Sequence, residues 1–291
     1  MKNCARIRNR TGSTRKLIAL LALLITAAAC GHRKPGEIPR PGINAFSVQD
    51  DIKLGQEYSA QVDKQVNLVQ NEQLQAYIRR LGETLASEPH AGDFPFSFHL
   101  INDPEINAFA LPGGPVYVNS GILTNATNEA QVAGVIAHEI SHVALRHGTN
   151  QATKREFLGV GELLAGVALG PQTAAGQLGQ LGLSLGISSV LLKYSRTDES
   201  QADELGARIM AEAGYDPVQM AEFFQILEAK VGNQSSFFSD HPSPGDRVAA
   251  VRKELPYLPP GPYNANTGEF QAMKRLAEQL PAPPPKQQQS Q

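Results

Sequence analysis

The sequence lacks several features that mark particular classes of protein. It shows no internal repeat of about 20 to 50 residues, which argues against a solenoid. Its composition, with 41% hydrophobic and 19% charged residues among 291, excludes disorder, collagen and a coiled coil. The longest uncharged run near the N-terminus, residues 17–29, is shorter than the ~20 residues that a membrane-spanning helix needs. These absences predict an ordinary globular domain, and the N-terminal apolar run is too short to be a membrane anchor.

Basic clusters are also missing outside the N-terminus. The first 29 positions hold six basic residues and no acidic one, so their removal changes the formal net charge from −2 to −8. Binding of phosphates requires a basic face. No nucleic-acid partner is therefore expected.

The N-terminus has the pattern of a secretory signal, with a basic region followed by an apolar one. The residues before Cys30 resemble the lipobox of bacterial lipoproteins, although Ala27 stands where leucine is usual. The same residues also fit an A-x-A site of ordinary signal peptidase, which leaves lipidation of Cys30 open. Cysteine usage favours lipidation, because Cys4 would leave with the signal and an unmodified Cys30 would be a lone exported thiol.

The chain is expected to have five parts. Residues 1–29 are a signal peptide, and residues 30–45 are a lipid-attached flexible tether rich in proline and glycine. The main domain covers residues 46–256. A C-terminal extension with one short helix follows over residues 257–280, and residues 281–291 form a disordered Pro/Gln-rich tail.

The apolar pattern of the main domain predicts both helices and a small sheet. Helical spacing over residues 48–85 predicts two helices, and alternation over residues 96–101 predicts a strand. Residues 107–110 and 116–118 flank a Pro-Gly-Gly-Pro turn, as in a hairpin. The predicted fold class is α+β, mostly helical, with a sheet of about three strands.

Residues 138–142 read H-E-I-S-H within a predicted helix that Asn128 caps, with Gln131 completing a capping box. In a helix His138 and His142 lie on one face and can share a Zn²⁺ ion, with Glu139 close to a metal-bound water. The alternative is a pair of buried, hydrogen-bonded histidines. His147 lies off the ligand face and is interpreted as a helix-end histidine.

A second helical pattern offers the remaining groups of such a site. Glu199 can supply a carboxylate ligand, and Asp203, one turn later, can accept the outer N–H of a ligating histidine. The alternative is ordinary, because acidic residues are common in the first turn of a helix.

Together these segments resemble the gluzincin peptidases of the CAAX-prenyl-protease type, in particular a soluble bacterial branch of periplasmic and outer-membrane-associated quality-control proteases. Four blocks carry the resemblance, in the family's order: residues 107–114, the helix over residues 129–148, the run 199–203 after Ser195-Arg196, and His241-Pro242 with Arg247. The resemblance implies a zincin-type fold and one Zn²⁺ per chain. It also implies His138, His142 and Glu199 as ligands, Glu139 as the base, and Asp203 beside a ligand.

The segment Asn107, Ala108, Phe109 and Ala110 is suited to be a sheet edge to which an extended substrate adds as a strand. An ordinary hairpin strand is compatible with this role. Unlike the membrane-embedded relatives, the chain has no transmembrane helices around its motif, so prenylated proteins are not the expected substrate.

His241 stands on a loop that Pro242 restricts to extended geometry, and loop composition alone predicts a surface histidine. The resemblance implies a role in the cleft. Its imidazole would either occupy the fourth position of zinc as a latch or, when protonated, stabilise the oxyanion. Arg247 would pair with an acidic residue to hold this loop.

The resulting expectation is a zinc endopeptidase that acts on misfolded or misassembled cell-envelope proteins in the periplasm, held at the outer membrane by an N-terminal lipid. The alternative is a metal-stabilised chaperone or assembly factor with little or latent proteolysis. The oligomeric state and the cleavage preference are not predicted.

Overall fold

The computed structural model describes residues 34–154, 194–231, 236–242 and 245–283. The expected signal peptide, Cys30 and most of the expected tail lie outside these residues. The chain divides into two units, Met1–Glu37 and Ile38–Gln291. In the first unit the structure describes a turn in which the Glu37 N–H donates to the Lys34 carbonyl. The helices, the sheet and the candidate site all belong to the second unit.

The two expected N-terminal helices are confirmed as α1 (Val48–Gln65) and α2 (Glu72–Ala86). Ser47 caps α1 by a reciprocal capping box with Asp50, whose carboxylate accepts from the Ser47 backbone N–H. The Asn71 side chain accepts from two backbone N–H groups of α2. Side-chain caps thus fix where both helices begin.

The sheet has three strands, as expected: β1 (Ser97–Ile101), β2 (Ala108–Ala110) and β3 (Pro115–Asn119). Their spatial order is β1-β3-β2, with β1 parallel and β2 antiparallel to β3. The short strand β2 is therefore an edge strand.

The turn between β2 and β3 packs closely against α1. Gly113 has a φ of 77°, and a Cβ added there would lie 2.4 Å from the Ile52 Cα. Only glycine satisfies both the left-handed backbone and this close approach. The glycine-containing turn that predicted the hairpin also allows the sheet to pack closely on α1.

The short helix α3 (Ser120–Asn125) is followed by α4 (Glu129–Ala144), which carries the H-E-x-x-H motif. Every residue of α4 except Ala144 is buried, so it is the central helix of the domain. Asn128 caps it as predicted, but the Gln131 side chain accepts from the Thr127 backbone N–H rather than from the capping residue. The predicted capping box is thus only half correct.

The remaining helices surround α4. They are α5 (Arg196–Glu212), α6 (Val218–Val231), α7 (Ser236–Asp240), α8 (Arg247–Glu254) and α9 (Phe270–Glu278). One hydrophobic core joins α2, the sheet, α4, α5, α6 and α9. The mostly helical α+β prediction is confirmed. None of the described helices has the length and apolar character required to cross a membrane.

Candidate metal centre

The site forms where two helices meet. Helix α4 contributes His138, Glu139 and His142, and the first turn of α5 contributes Glu199. A Cβ added to Gly206 would lie 3.3 Å from the backbone of α4 at His138, so the two helices are in close contact here. This contact positions the carboxylate of one helix against the imidazoles of the other.

Four buried side chains form the centre: His138, His142, Glu199 and His241. One donor atom from each lies within 4.8 Å of the others. The Nε2 atoms of the two α4 histidines are 3.0 Å apart, and Glu199 Oε2 lies 3.2 Å from the His138 Nε2. The structure thus brings together the three residues that the sequence suggested as ligands, and adds a fourth donor.

His241 is the fourth donor, and loop composition alone predicted its place wrongly. Its side chain is fully buried and its ring stacks on the Phe237 ring. It directly follows α7, and its backbone N–H donates to the Phe237 carbonyl of that helix. Its Nδ1 lies 3.2 Å from the Glu199 Oε1 and 3.4 Å from the His138 Nε2. The position in the cleft that the family resemblance implied is the one observed.

Glu139 adjoins the centre without belonging to the donor set. Both of its buried carboxylate oxygens lack a hydrogen-bond partner among the described residues. Burial raises the pKa of the Glu139 carboxyl, an effect that the His241 and His138 charges and the nearby Ala110 backbone N–H oppose. Because Ala110 ends β2, the carboxylate lies beside the edge strand.

Burial and the charges of neighbouring groups together shift the pKa values of the donors. Burial lowers the pKa of His142 well below its usual value. Burial would also lower the pKa of His138, but Glu199 and Asp203 raise it to about 9. For Glu199, burial favours the neutral form, yet the charges of His241 and His138 hold its pKa well below the usual value. The carboxylate is therefore anionic.

Asp203 lies behind His138, as the sequence suggested. Its Oδ1 is 3.1 Å from the His138 Nδ1, the ring nitrogen that faces away from the cluster. Arg247, which begins α8, holds Asp203 by two hydrogen bonds, one of them from Nε at 2.7 Å, and lies over the Phe224 ring. Although burial opposes it, this guanidinium lowers the pKa of Asp203. The acidic partner expected for Arg247 is thus Asp203.

The sequence pattern missed two contacts of His142. The Tyr194 ring stacks on its imidazole with centroids 3.8 Å apart, and the His147 Nδ1 lies 2.9 Å from its Nδ1. His147 is not a cluster member, as expected, but it is buried against the centre. Helix α4 ends at Ala144 and Arg146 has a φ of 56°, so a continuous helical wheel cannot place His147.

The donor set fits zinc. Two imidazole nitrogens and a carboxylate oxygen are the ligands of one major class of catalytic zinc sites, which keep a fourth position for water or substrate. In addition, Glu139 and the Glu199 Oε2 are buried acceptors without a hydrogen-bond partner among the described side chains. A divalent cation compensates buried negative charge of this kind.

Comparison with characterised proteins finds relatives whose names describe proteases. The chain is 31% identical over 260 residues to the beta-barrel assembly-enhancing protease of Escherichia coli (strain K12), covering 83% of this chain and 53% of that protein. It is 32% identical over 183 residues to the mitochondrial metalloendopeptidase OMA1 of Schizosaccharomyces pombe, covering 62% and 52%. The chain spans about half the length of these relatives.

The sequence model of peptidase family M48 matches residues 72–255. This region runs from the start of α2 to the residue after α8, and so includes every residue of the metal centre. The members of this family are metallopeptidases that use zinc. Because the match covers more than half of the chain, this protein belongs to peptidase family M48.

Proposed function

We propose that this chain is a zinc-dependent endopeptidase that hydrolyses peptide bonds of misfolded or misassembled cell-envelope proteins. The observation that carries the proposal is the buried cluster of His138, His142 and Glu199, with the unpartnered carboxylate of Glu139 beside it. A purely structural zinc site does not need such a base. The name of the bacterial relatives, beta-barrel assembly-enhancing protease, supports an envelope substrate.

The proposed roles of the residues are consistent with their positions. His138, His142 and Glu199 hold the ion, and zinc in such a site supplies a Lewis acid that polarises a carbonyl and activates water. Glu139 takes the proton of the attacking water and delivers it to the departing amine. Asp203, held by Arg247, accepts from the His138 Nδ1–H and fixes its ring orientation.

The edge strand β2 is the proposed place of the substrate backbone. Among the described strands β2 pairs only with β3, which leaves its outer edge for Asn107, Ala108, Phe109 and Ala110 to receive an extended peptide. The Ala110 N–H lies beside Glu139, so a peptide on this edge passes the base. Backbone pairing gives affinity with little side-chain selectivity, which suits unfolded substrates.

His241 is proposed as a latch. Its Nδ1 points at the ligand atoms, and its Nε2 lies 3.5 Å from the Glu139 Oε1. One imidazole in this place would offer the ion a fourth protein donor, and it covers the base as well. It must therefore withdraw before a substrate carbonyl and a water molecule can enter.

The peptidase activity is tested with purified protein and unfolded casein. Replacing Glu139 by Gln removes the base but no ligand, so hydrolysis should fall by roughly 10²–10⁴-fold with one zinc per chain retained. Glu199→Ala is the matched control, because it should lower the zinc content instead. Undiminished hydrolysis by Glu139→Gln would refute the proposed mechanism.

The latch is tested by His241→Ala, with activity and zinc content measured together. A latch predicts higher basal proteolysis, or self-cleavage, at unchanged zinc content. A lower kcat with zinc and substrate binding retained would assign His241 to the oxyanion instead. Unchanged activity would contradict both roles.

The buried His241 also favours a second candidate function, a metal-stabilised periplasmic chaperone or assembly factor whose proteolysis is latent. The two functions differ in the fate of bound chains. Native-envelope trapping with Glu139→Gln should accumulate intact envelope proteins that the unsubstituted enzyme cleaves. If the unsubstituted protein holds the same proteins uncleaved, the chaperone function is supported.

The proposal extends to location and to position within the family. We place the chain in the soluble bacterial branch of the CAAX-prenyl-protease type, with residues 1–29 as signal, 30–45 as tether, 46–256 as peptidase domain, 257–280 as extension and 281–291 as tail. We place it in the periplasm, anchored to the outer membrane by acylated Cys30. Mass spectrometry of the mature N-terminus should show a diacylated and N-acylated Cys30, and a free thiol would contradict the anchor.

A further inference from the structure

The two metal-site histidines of α4, His138 and His142, are oriented alike, and both ring nitrogens of each have a close neighbour. Each directs Nε2 into the cluster, where the two atoms are 3.0 Å apart, and each directs Nδ1 outward. The outer nitrogen of His138 meets the carboxylate of Asp203 at 3.1 Å. The outer nitrogen of His142 meets a second imidazole, the Nδ1 of His147, at 2.9 Å. The His142 contact is short enough for a hydrogen bond.

The direction of this bond follows from the chemistry of the metal site. When the His142 Nε2 donates its lone pair to an ion, the proton of the neutral ring is on Nδ1. That N–H must donate, so the His147 Nδ1 must accept. The proton of His147 is then on Nε2, which lies 3.2 Å from the Gln201 Oε1, an acceptor.

We infer that His147 is a positioning residue of the zinc site: its neutral imidazole accepts the Nδ1–H of His142, fixes that ligand's tautomer and ring orientation, and is itself oriented by Gln201. The inference rests on the proposed zinc site. It extends the set of supporting groups beyond Asp203.

The backbone explains how His147 reaches this place. Helix α4 ends at Ala144, Arg146 takes a left-handed conformation with φ 56°, and residues 147–154 are helical again. The Arg146 Nε donates to Asp51 at 2.6 Å and its Nη2 donates to the Phe46 carbonyl, which holds the break. The break directs the His147 ring back toward His142.

Two small substitutions separate the contacts of His147. Asn keeps an acceptor oxygen near the position of Nδ1, whereas Gln places its amide near the position of Nε2. His147→Asn therefore retains the bond to His142, and His147→Gln retains only the contact with Gln201. His147→Leu keeps similar bulk without either bond. His90→Asn is the control, since His90 bonds to Glu212 away from the centre.

The readout is the zinc affinity of the full-length chain, measured by competition with a chromophoric chelator. His147→Leu and His147→Gln should bind zinc about 10- to 100-fold more weakly, as losses of such supporting groups do. His147→Asn and the His90→Asn control should stay close to the unsubstituted protein. In the zinc-loaded protein, ¹⁵N spectra of the histidine rings should show His142 protonated at Nδ1 and His147 at Nε2.

Three results would overturn the inference. Unchanged zinc affinity of His147→Leu would show that the bond does not support the ligand. Equal losses of zinc affinity in His147→Asn and His147→Leu would show that an acceptor at the Nδ1 position does not support the ligand. The opposite tautomers in the ¹⁵N spectra would contradict the direction of the bond. An unsubstituted chain that binds zinc tightly but does not cleave casein would refute the proposed function while leaving this inference standing.

Discussion

The buried pair of Arg247 and Asp203 gives the sharpest prediction of stability. Both side chains are nearly inaccessible, at 3% and 2%, and the guanidinium holds the carboxylate by two hydrogen bonds while lying 3.8 Å from the Phe224 ring centroid. Replacing Arg247 by Leu leaves Asp203 as a buried carboxylate without its guanidinium partner, with only the His138 ring beside it. Breaking one side of such a pair costs about 3–5 kcal/mol of unfolding free energy.

The molecule offers a matched control on its surface. Arg80 and Glu269 form an ion pair at 2.6 Å, but their side chains are 57% and 56% exposed. Exposed pairs contribute about 0–1 kcal/mol, so Arg80→Leu should have little effect on stability. The comparison sets a buried pair with two hydrogen bonds and an aromatic contact against an exposed pair with one hydrogen bond.

The assay is urea unfolding of the two variants and the unsubstituted chain, with a chelator present so that zinc affinity does not enter. Arg247→Leu should lower the unfolding free energy by about 3–5 kcal/mol, or the melting temperature by about 6–20 °C for a domain of this size. Adding Asp203→Asn to Arg247→Leu should restore part of the loss, because the buried charge is then gone. An Arg247→Leu loss no larger than that of Arg80→Leu would refute the reasoning.

Three further predictions concern packing, a buried carboxylate and the ion. Gly82→Ala places a Cβ 2.3 Å from the Phe98 ring and should cost about 1–3 kcal/mol in urea unfolding, whereas Gly261→Ala, with open space around it, should cost almost nothing. Tyr215→Phe removes a 2.9 Å hydrogen bond to the buried Glu129 carboxylate and should cost about 1.5–3 kcal/mol in the same assay; no change would show that this bond is unimportant. Zinc at about 100 times its dissociation constant should stabilise the chain by about 2.7 kcal/mol in calorimetry, an increase that a chelator abolishes.

Several features could be predicted from sequence because they depend on neighbours in the chain. The spacing of His138 and His142 is a property of any α-helix, and the Pro-Gly-Gly turn leads to an antiparallel pairing of β2 with β3 as turn chemistry requires. The predicted cap of α4 by Asn128 also acts over three residues. Local geometry of this kind needs no knowledge of the fold.

The sequence also indicated Glu199 as a ligand and Asp203 as a partner of a ligand. Rules that depend on neighbours in the chain do not predict how far these residues lie from His138. Acidic residues in the first turn of a helix are ordinarily solvated, and only the close packing of α5 on α4 at Gly206 places these two against the imidazoles. The family resemblance supplied this assignment, because the spacing alone left it open. The structure shows the contact that justifies it.

The tertiary structure decided the parallel pairing of β1 with β3, the burial of His241 and the approach of His147 to His142. Of these three, only the place of His241 was expected, from the family resemblance and not from the loop pattern. Each depends on where a chain segment turns: the crossover between strands, the packing of α7 against the core, and the left-handed residue Arg146 that ends one helix and starts the next. Helical and strand periodicity describe what happens within an element. They carry no information about the direction that the chain takes between elements. In this protein those directions bring His241 and His147 to the metal centre.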